Sequence, residues 1–398
     1  MSKSETIIRI AARGDGVTAS GRHVPGAVSG DTIKPDGSIE RGPHHVDPPC
    51  RHFPQCGGCQ LQHADEEALR QFVTARVVDA AAGHGVAIAE VLPAHLSPPR
   101  SRRRATLHAA NAGGGAVVGF REQGSHRIVA MKECEILRPE LFAVLAPLKA
   151  LLAQRAGKYA ADIALTLVDQ GVDCAMKGLS MDGLEQTEAM LDFARDNGLA
   201  RLTVDLGYGP EAVWEPEPVT TTLAGIPVGF PSGGFLQATV DGEAALVACA
   251  RDWLPSEGVL ADLFSGLGTF AFALADKRKV LAAEAAQDAF LACKGAAVLG
   301  GNMVVPVHRD LFRNPLLPDE LDRFSGVLLD PPRAGAKEQV SRIAESSVAR
   351  VVYISCNPAS WARDAARLVD AGYRLETVKP VGQFRWSTHV ELASLFVR

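Results

Sequence analysis

Five short apolar runs in the C-terminal part of the chain alternate with stretches that suit helices. The runs cover residues 259–264, 280–283, 304–307, 327–329 and 351–354. Runs that are apolar throughout predict strands buried on both faces, and their alternation with helices predicts an α/β domain with a parallel, doubly wound sheet. Ligands of such sheets bind beyond the carboxyl ends of the strands. We therefore expect candidate functional residues directly after each run.

The first three runs are each followed by residues that suit a nucleoside ligand. Gly266 and Gly268 follow the first run and let the backbone approach a ligand closely before a helix begins. Glu284 follows the second run, in the usual place of an acid that accepts hydrogen bonds from ribose hydroxyls. Asp310 follows the third run, where a carboxylate can meet an adenine amino group. Such a glycine turn fits dinucleotides as well as S-adenosylmethionine, so the pattern predicts a nucleoside and leaves its identity open.

The fourth and fifth runs end in motifs with more specific chemistry. Asp330-Pro-Pro-Arg333 is rigid because each proline fixes its own φ and restricts the residue before it, so the loop can hold a planar base. Cys356 follows the fifth run, and Pro358 can open the next helix. A helix N-terminus lowers the pKa of a thiol, which favours a thiolate nucleophile. Three other isolated cysteines are expected to be small buried hydrophobes: Cys174, Cys249 and Cys293.

The remaining four cysteines are spaced for metal binding. Three lie close together in the sequence and the fourth follows much later: Cys50, Cys56, Cys59 and Cys134. Neighbouring prolines and glycines make tight loops that let these thiolates converge on one centre. Four thiolates suit either zinc or an iron-sulfur cluster. Eight cysteines in 398 residues are too sparse for a secreted disulfide scaffold.

The rest of the chain shows two other patterns. Residues 1–46 are short runs broken by glycines, which predicts a small antiparallel barrel. Residues 47–235 mix helix signals at 65–82 and 139–154 with strand signals at 105–110, 128–131, 163–168 and 202–205, which predicts an α+β region. The sequence shows neither an N-terminal signal segment nor a run of about 18 apolar residues. We therefore expect a cytoplasmic protein without a membrane span. As a separate expectation, the protein is a monomer.

Five motifs together resemble those of one enzyme family. In chain order they are Cys50-x5-Cys56-Gly-Gly-Cys59-Gln-Leu-Gln-His63, Asp262-Leu-Phe-Ser-Gly-Leu-Gly-Thr-Phe270, Leu329-Asp-Pro-Pro-Arg-Ala-Gly335, Ser355-Cys-Asn-Pro358 and His389-Val-Glu391. This set spans nearly the whole chain. It is similar to that of the RNA uracil-5-methyltransferases, and within that family it is nearest to the iron-sulfur enzymes that act on 23S ribosomal RNA.

The resemblance implies three domains. Residues 1–46 would form a shortened TRAM-like barrel, and residues 47–235 a central α+β domain with an RNA-binding surface and a 4Fe-4S cluster. Residues 236–398 would form a class I (Rossmann-like) methyltransferase domain. The cluster would be held by all four spaced cysteines: Cys50, Cys56, Cys59 and Cys134.

The resemblance also assigns roles to single residues. The family binds S-adenosylmethionine through a glutamine in a Phe-x-Gln-x-Asn motif, which reads Phe235-Leu-Gln237-Ala-Thr239 in this chain. The nucleophile maps onto Cys356 and the proton-abstracting base onto Glu391. The implied contacts of S-adenosylmethionine are Gln237, Phe264, Thr269, Glu284, Asp310 and Asp330.

Two departures from the family pattern bear on the site. Thr239 stands where the family usually has asparagine. The segment before Glu391 reads Gly382-Gln-Phe-Arg-Trp-Ser-Thr-His-Val-Glu391, where the family commonly has Asp-x-Phe-Pro-x-Thr-x-His-Val-Glu. We therefore expect the loop that positions the base to differ from that of the family.

The chemistry of uracil agrees with these assignments. Uracil C5 is too poor a nucleophile to take a methyl group directly, so a thiolate must first add to C6, and Cys356 can supply it. After methyl transfer a base must remove the C5 proton, which is the role of Glu391. The base must also leave its stack, which favours single-stranded or looped RNA.

A basic run supplies candidate contacts for RNA phosphates. The net charge of −5 excludes a protein that is basic overall, so an RNA site has to be a local patch. The densest cationic run is Arg100, Arg102, Arg103 and Arg104. Alternation along a strand places Arg102 and Arg104 on one face and Arg103 on the other. The alternative interpretation is a strand edge that is protected from pairing by its charge.

Other functions stay open at this point. The chain could methylate tRNA, or it could be a catalytically inactive RNA-binding protein, although both Cys356 and Glu391 are present. It could also be an N-methyltransferase acting on adenine, but such sites resemble Asp-Pro-Pro-Tyr and need no cysteine. The tRNA-specific branch of the family typically lacks the cysteine cluster and the barrel, which favours 23S ribosomal RNA as the substrate.

Overall fold

The computed structural model describes residues 4–111, 115–155, 157–181, 183–276 and 278–398. Three sheets of five, six and nine strands and one two-stranded hairpin are present in these ranges. None of the helices there is long and apolar enough to cross a membrane.

A small antiparallel sheet forms the N-terminal part of the molecule. Its strands pair in the order β3-β2-β1-β4-β5 around a core that contains Ile7 and Ile33. This N-terminal sheet fits the expected small β unit, but no ladder joins its edge strands among the described residues, so the pairing is that of a curled sheet rather than a closed barrel. The strands are β1 (Glu5–Ile10), β2 (Gly16–Thr18), β3 (His23–Val24), β4 (Thr32–Ile33) and β5 (Ile39–Glu40).

A six-stranded sheet, the central sheet, occupies the middle of the chain, with strand order β13-β12-β11-β10-β8-β9. The elements up to the start of the last region are α1 (Glu66–Gly83), β6 (Ile88–Val91), β7 (His95–Leu96), β8 (Arg104–Asn111), β9 (Ala116–Gly119), α2 (Pro139–Ala143), α3 (Leu145–Ala153), β10 (Ala160–Val168), β11 (Gly171–Lys177), α4 (Leu184–Asp196), β12 (Leu199–Asp205), β13 (Pro210–Trp214), β14 (Thr220–Leu223) and β15 (Ile226–Gly229).

The nine-stranded C-terminal sheet has the order β18-β17-β16-β19-β20-β22-β21-β6, with β7 also paired to β21. All five predicted strands are present and run parallel to one another, as β16 to β20. The elements of this region are α5 (Val240–Trp253), β16 (Leu260–Leu263), α6 (Thr269–Leu274), β17 (Val280–Glu284), α7 (Gln287–Leu299), β18 (Val304–His308), α8 (Pro318–Leu321), β19 (Gly326–Leu329), α9 (Lys337–Glu345), β20 (Arg350–Ser355), α10 (Pro358–Asp370), β21 (Arg374–Gly382) and β22 (Glu391–Val397).

One part of the expected domain division is wrong. Strands β6 and β7 lie within residues 47–235, yet both pair with β21 and extend the C-terminal sheet. Helix α1 precedes them and packs against α10 and β21. The partners of β6 and β7 lie far away in the sequence, so no local pattern could indicate the pairing.

Most of the predicted elements of the central region are present, with two corrections. Helix α1 begins as expected, because the Asp65 carboxylate accepts the Ala68 N–H at 2.8 Å. Residues 128–131 form no strand, and only an isolated bridge joins Arg121 to Ile128. The helix expected over 139–154 is interrupted between α2 and α3, since Pro147 has no N–H to donate to the Ala143 carbonyl.

Candidate active site and cysteine cavity

Cys356 and Glu391 line the same large cleft. Cys356 follows β20 and Glu391 is the first residue of β22. These two strands are antiparallel neighbours, and Ser355 pairs with Leu392. The ladder therefore brings the end of β20 beside the start of β22. Both side chains thus lie at the end of the C-terminal sheet where its parallel strands have their carboxyl ends.

The environment of Cys356 differs from the expected one. Burial, together with the carboxylates of Glu391 and Asp330 and against the opposing effect of Arg333, raises the pKa of its thiol to about 11. The expectation that the start of α10 would lower this pKa is therefore wrong for the free protein. Burial beside two acids outweighs the partial charge at the end of one helix. The thiol is protonated at neutral pH until a cation or a base changes its surroundings.

Glu391 has the properties of a general base that works near neutral pH. Its side chain is buried, which raises its pKa to about 7, while Arg104 and a hydrogen bond from Gln383 lower that pKa. A carboxyl group with this pKa is partly ionised at neutral pH and can still accept a proton.

Gln383 connects Glu391 to two other predicted site residues. Its Nε2 donates to Glu391 Oε2 and, at 2.8 Å, to Gln237 Oε1. The Gln237 Nε2 in turn donates to Asp330 Oδ2 at 3.4 Å. Sequence reasoning missed Gln383, although it lies in the segment singled out as different from the family. Thr239, the other departure, caps α5 by accepting the Gly242 N–H at 3.1 Å.

The turn after β16 lies against Glu284, as expected for a nucleoside site. Glu284 Oε2 accepts the Gly266 N–H at 2.8 Å, and Oε1 accepts the N–H groups of Ala285 and Ala286 at 2.9 and 2.7 Å. Gly266 has a φ of 54°, and no heavy atom lies within 4 Å of the position that its Cβ would occupy. One side of this turn is therefore open to a ligand.

The other predicted nucleoside contacts surround the same turn. Phe264 has a φ of 65°, and its ring centroid lies 5.3 Å from that of Phe312. Thr269 is the first residue of α6. Asp310 accepts the N–H groups of Phe312 and Arg313 at 3.0 and 3.2 Å. Ring contacts and backbone hydrogen bonds thus hold the strand ends that were predicted to meet there.

Asp262 is a further candidate that sequence reasoning quoted in a motif but did not assign. Its side chain is fully buried, and neither carboxylate oxygen has a hydrogen bond of normal geometry among the described residues. Burial raises its pKa to about 7, and the nearby Ala271 N–H lowers it. A buried carboxylate without a close partner fits a cationic ligand, and the sulfonium and ammonium groups of S-adenosylmethionine are cations.

The basic run alternates as predicted. Arg102 and Arg104 line the cleft, with their guanidinium carbons 5.5 and 4.3 Å from the ring centroids of Phe384 and Phe235. Arg103 is buried on the other face, where it forms an ion pair with Glu243. Burial lowers the pKa of Arg104 to about 10. This burial contradicts the alternative interpretation, a strand edge in solvent. The fourth residue of the run, Arg100, forms an exposed ion pair with Glu135.

The four spaced cysteines line one small cavity with apolar neighbours that include Phe53, Phe120 and Met131. Burial raises the pKa of Cys59 to about 12 and that of Cys134 to about 11, and nearby thiols add to both effects. The expected convergence of Cys50, Cys56, Cys59 and Cys134 is therefore present. In the part of the chain that the structure describes, no group of three or more His, Cys, Asp or Glu side chains is arranged to hold a metal ion.

The cysteine loop is attached to the segment that precedes Glu391. The N–H groups of Gln60 and Leu61 both donate to the Trp386 carbonyl, at 2.7 and 2.9 Å. Trp386 has a φ of 60°, an unfavourable conformation for a large side chain. Backbone contacts from the cysteine loop thus hold a strained turn near the candidate base.

Comparisons with known proteins agree with this geometry. A family model described as tRNA (Uracil-5-)-methyltransferase matches residues 310–398. An uncharacterized RNA methyltransferase of Zymomonas mobilis is 49% identical over 393 residues, which are 98% of this chain and 99% of that protein. The 23S rRNA (uracil(1939)-C(5))-methyltransferase of Pectobacterium atrosepticum is 30% identical over 368 residues, which are 89% of this chain and 81% of that protein.

One solved structure resembles the whole chain. The Pyrococcus abyssi tRNA (uracil-54, C5)-methyltransferase, crystallised in complex with S-adenosyl-L-homocysteine, matches with a TM-score of 0.76. The two sequences are 22% identical, and the match covers 99% of both chains. At this identity the likeness shows a common fold.

Proposed function

The chain belongs to the RNA uracil-5-methyltransferase family and is an S-adenosylmethionine-dependent enzyme that methylates C5 of uracil in RNA. From this premise we propose that Cys356 is its nucleophile and Glu391 its base. The observation that carries this proposal is the single cleft that both side chains line, beside Arg102 and Arg104. A thiol and a carboxyl group in one cleft supply the two functions that the reaction needs.

Each residue acts at a different step. Cys356 first loses its thiol proton to solvent. The thiolate sulfur then bonds to C6 of the uracil, and the electron pair of the C5–C6 double bond moves to make C5 nucleophilic. S-adenosylmethionine supplies the methyl group that C5 takes up. Glu391 then accepts the C5 proton, the C5–C6 double bond forms again, and the pair of the C6–S bond returns to Cys356.

We further propose that the resemblance identifies the cofactor contacts correctly: Gln237, Phe264, Thr269, Glu284, Asp310 and Asp330. Support comes from the open side of Gly266 and from the buried acids around it. Burial raises the pKa of Asp330 well above its usual range, and Glu391 and Asp262 raise it further. A cationic ligand at this position stabilises the ionised forms of these acids. Asp262 is an additional candidate on the same grounds.

We propose that Cys50, Cys56, Cys59 and Cys134 hold a 4Fe-4S cluster. The four thiols line one cavity with apolar walls, which fits the chemistry of such a cluster. A cubane places four irons between its ligands, so its cysteines stand further apart than those around one zinc ion. The choice of this cluster over zinc rests on the resemblance to the iron-sulfur members of the family. Methyl transfer from a sulfonium donor needs no electron, so the cluster is proposed to have a structural role.

We propose a domain division close to the expected one, with residues 1–46, 47–235 and 236–398 as its parts. The modification concerns residues 66–96, whose helix and strands pack with the C-terminal sheet. The cleft lies between the central sheet and the C-terminal sheet, since β8 and β10 contribute Ala105 and Leu165 to its wall. RNA is therefore proposed to bind between two domains.

We propose 23S ribosomal RNA as the substrate, because the relative from Pectobacterium atrosepticum carries that activity in its name and matches most of the chain. The test is to map 5-methyluridine in ribosomal and transfer RNA from cells with and without the protein. Loss of one 5-methyluridine from 23S ribosomal RNA is the expected result. Loss from tRNA alone would reassign the substrate, and no loss in either RNA would indicate an inactive RNA-binding protein.

A further inference from the structure

We propose that Gln383 is a positioning residue for the reaction: its buried amide holds Glu391 in the orientation for proton removal and joins the base to Gln237. The inference rests on the proposed role of Glu391. Gln383 follows directly after β21, and its side chain is buried. The family pattern has no fixed residue at this position, so the resemblance assigns no role to it.

The contacts of Gln383 determine which way its amide points. The Thr239 backbone N–H can only donate, and it lies 3.3 Å from Gln383 Oε1. The amide oxygen must therefore face Thr239, which turns the NH2 group toward Glu391 Oε2 and Gln237 Oε1. A flipped amide would set its oxygen against a carboxylate and its nitrogen against a backbone N–H.

The orientation of the Gln383 amide also determines that of the Gln237 amide. Because Gln237 Oε1 accepts from Gln383, the Gln237 NH2 group is the part that faces Asp330 Oδ2, at 3.4 Å. The backbone N–H of Thr239, the residue that caps α5, thus fixes the orientation of a buried series of hydrogen bonds that ends at two acids of the active site. All of its members are buried or half-buried, where each such hydrogen bond is strong.

The two carboxylate oxygens of Glu391 have different surroundings. Oε2 is held by Gln383, and among the described residues no hydrogen bond to Oε1 is present. Glu391 lines the cleft, so Oε1 is the atom available to the C5 proton. The charged or titratable groups around this carboxyl are Arg104 from β8, Asp330 after β19 and Cys356 after β20. The segment after β21 contributes one neutral polar group to the surroundings of this carboxyl, the amide of Gln383.

Gln383 is expected to affect one step of the reaction more than the others. Gln383 does not itself line the cleft, so addition to C6 should continue without it, and saturating S-adenosylmethionine should keep methyl transfer close to normal despite the lost bond to Gln237. Its N–H stabilises the ionised form of Glu391 and lowers the pKa of that carboxyl. Without Gln383 this pKa rises and the carboxylate loses its fixed orientation, so proton removal becomes slow and the covalent adduct persists.

The experiment uses Gln383→Met, which keeps the length of the side chain and removes both N–H donors. The substrate is total RNA from cells that lack the protein. We expect methyl transfer in a single turnover to change less than about threefold, while release of the denaturation-resistant adduct slows about tenfold at neutral pH. Release should recover at about one pH unit higher, because the pKa of Glu391 is raised.

Gln339→Met is the matched control. Gln339 is equally buried and bonds the N–H and the carbonyl of Leu316, at 2.8 and 3.2 Å, away from the cleft. It should lose thermal stability without adduct accumulation. If Gln383→Met does not fold, Gln383→Glu replaces it: this variant keeps the size and places a second acid beside Glu391, so the pH dependence should again move upward.

The outcomes separate this inference from the proposed function. Glu391→Gln is run in parallel. Accumulation of adduct by both Glu391→Gln and Gln383→Met supports the positioning role. Accumulation by Glu391→Gln alone, with a uniform loss or no loss for Gln383→Met and an unchanged pH profile, overturns the role of Gln383. Full turnover by Glu391→Gln overturns the role of the base itself.

Discussion

The backbone N–H of Gln60 donates a hydrogen bond of 2.7 Å to the carbonyl of Trp386, which joins the cysteine loop to the turn before Glu391. Gln60 follows Cys59 directly, so a cluster at the cysteines would hold this amide in place. The cysteine cavity and the candidate base, which are separate in the sequence, are thus connected through one turn. A disturbance at the cavity is expected to reach the active site through this contact.

The first prediction concerns the cluster and this turn. Protein purified without oxygen should contain about four irons per chain. Cys56→Ser should lower the iron content and increase amide hydrogen exchange at Gln60 and Leu61, because these two N–H groups are no longer held against the Trp386 carbonyl. Exchange in α9 serves as the internal control and should not change. Stoichiometric zinc in place of iron, or unchanged exchange in the iron-free protein, would contradict this prediction.

The second prediction concerns the two catalytic candidates, which act at different steps. Cys356→Ala should form neither methylated RNA nor a covalent adduct, although it should still bind S-adenosylmethionine. Glu391→Gln should add to the uracil and methylate it but keep the C5 proton, so it should accumulate a slower-migrating band that resists denaturation. The wild-type enzyme should give the same band on RNA that carries 5-fluorouridine. A band that survives Cys356→Ala would place the nucleophile elsewhere.

The third prediction is a different pH dependence for adduct formation and release. Glu391 has a raised pKa of about 7 and must be ionised to accept the C5 proton, so release should accelerate as the pH rises through about 7 and then level off. Cys356 has a raised pKa of about 11. Adduct formation on 5-fluorouridine RNA should therefore continue to accelerate as the pH rises above about 7, because more of the thiol ionises. Rapid-quench measurements of both steps check this. Parallel pH profiles would show that one group governs both steps.

The fourth prediction separates the members of the arginine run. Replacing both Arg102 and Arg104 with alanine should weaken RNA binding and flatten its salt dependence, with little effect on S-adenosylmethionine affinity. Arg103→Ala leaves the partly buried Glu243 without its partner and should cost about 3 kcal/mol of stability. Arg100→Ala is the control, since its exposed pair with Glu135 contributes little. An unaltered salt slope for the double variant would remove Arg102 and Arg104 from the RNA interface.

The fifth prediction explains one departure from the family. A Cβ at Gly382 would lie 2.6 Å from Leu96 Cδ2 and 3.2 Å from Val73 Cγ2. Gly382→Ala should therefore lower the melting temperature, at a cost of about 1–3 kcal/mol. The double variant with Leu96→Ala should recover part of this loss by opening the space, compared with Leu96→Ala alone. If Gly382→Ala is neutral by itself, the close packing of β7 on β21 does not explain the glycine.

The sequence alone determined the parallel core of the C-terminal sheet and the positions where its chemistry lies. Strands β16, β19 and β20 are buried on both faces and β17 nearly so, and each appears as a local apolar run. The expectation of burial on both faces is wrong for β18, an edge strand in which Val305 is exposed. The residues after the runs could be named without a structure. The helix signal at 65–82 was likewise local, and it corresponds to α1. The separation of Arg103 from Arg102 and Arg104 also agrees with the two-residue repeat expected of a strand, although β8 itself begins only at Arg104.

Only the tertiary structure decided the contacts between residues that are distant in the sequence. The pairing of β6 with β21, the hydrogen bonds of Gln383 with Gln237 and Glu391, and the attachment of Gln60 to Trp386 have no local signal. The same is true of the raised pKa of Cys356, because it depends on burial and on the carboxylates of Asp330 and Glu391. Propensity and periodicity describe neighbours along the chain, whereas desolvation and charge interactions depend on which groups the fold brings together.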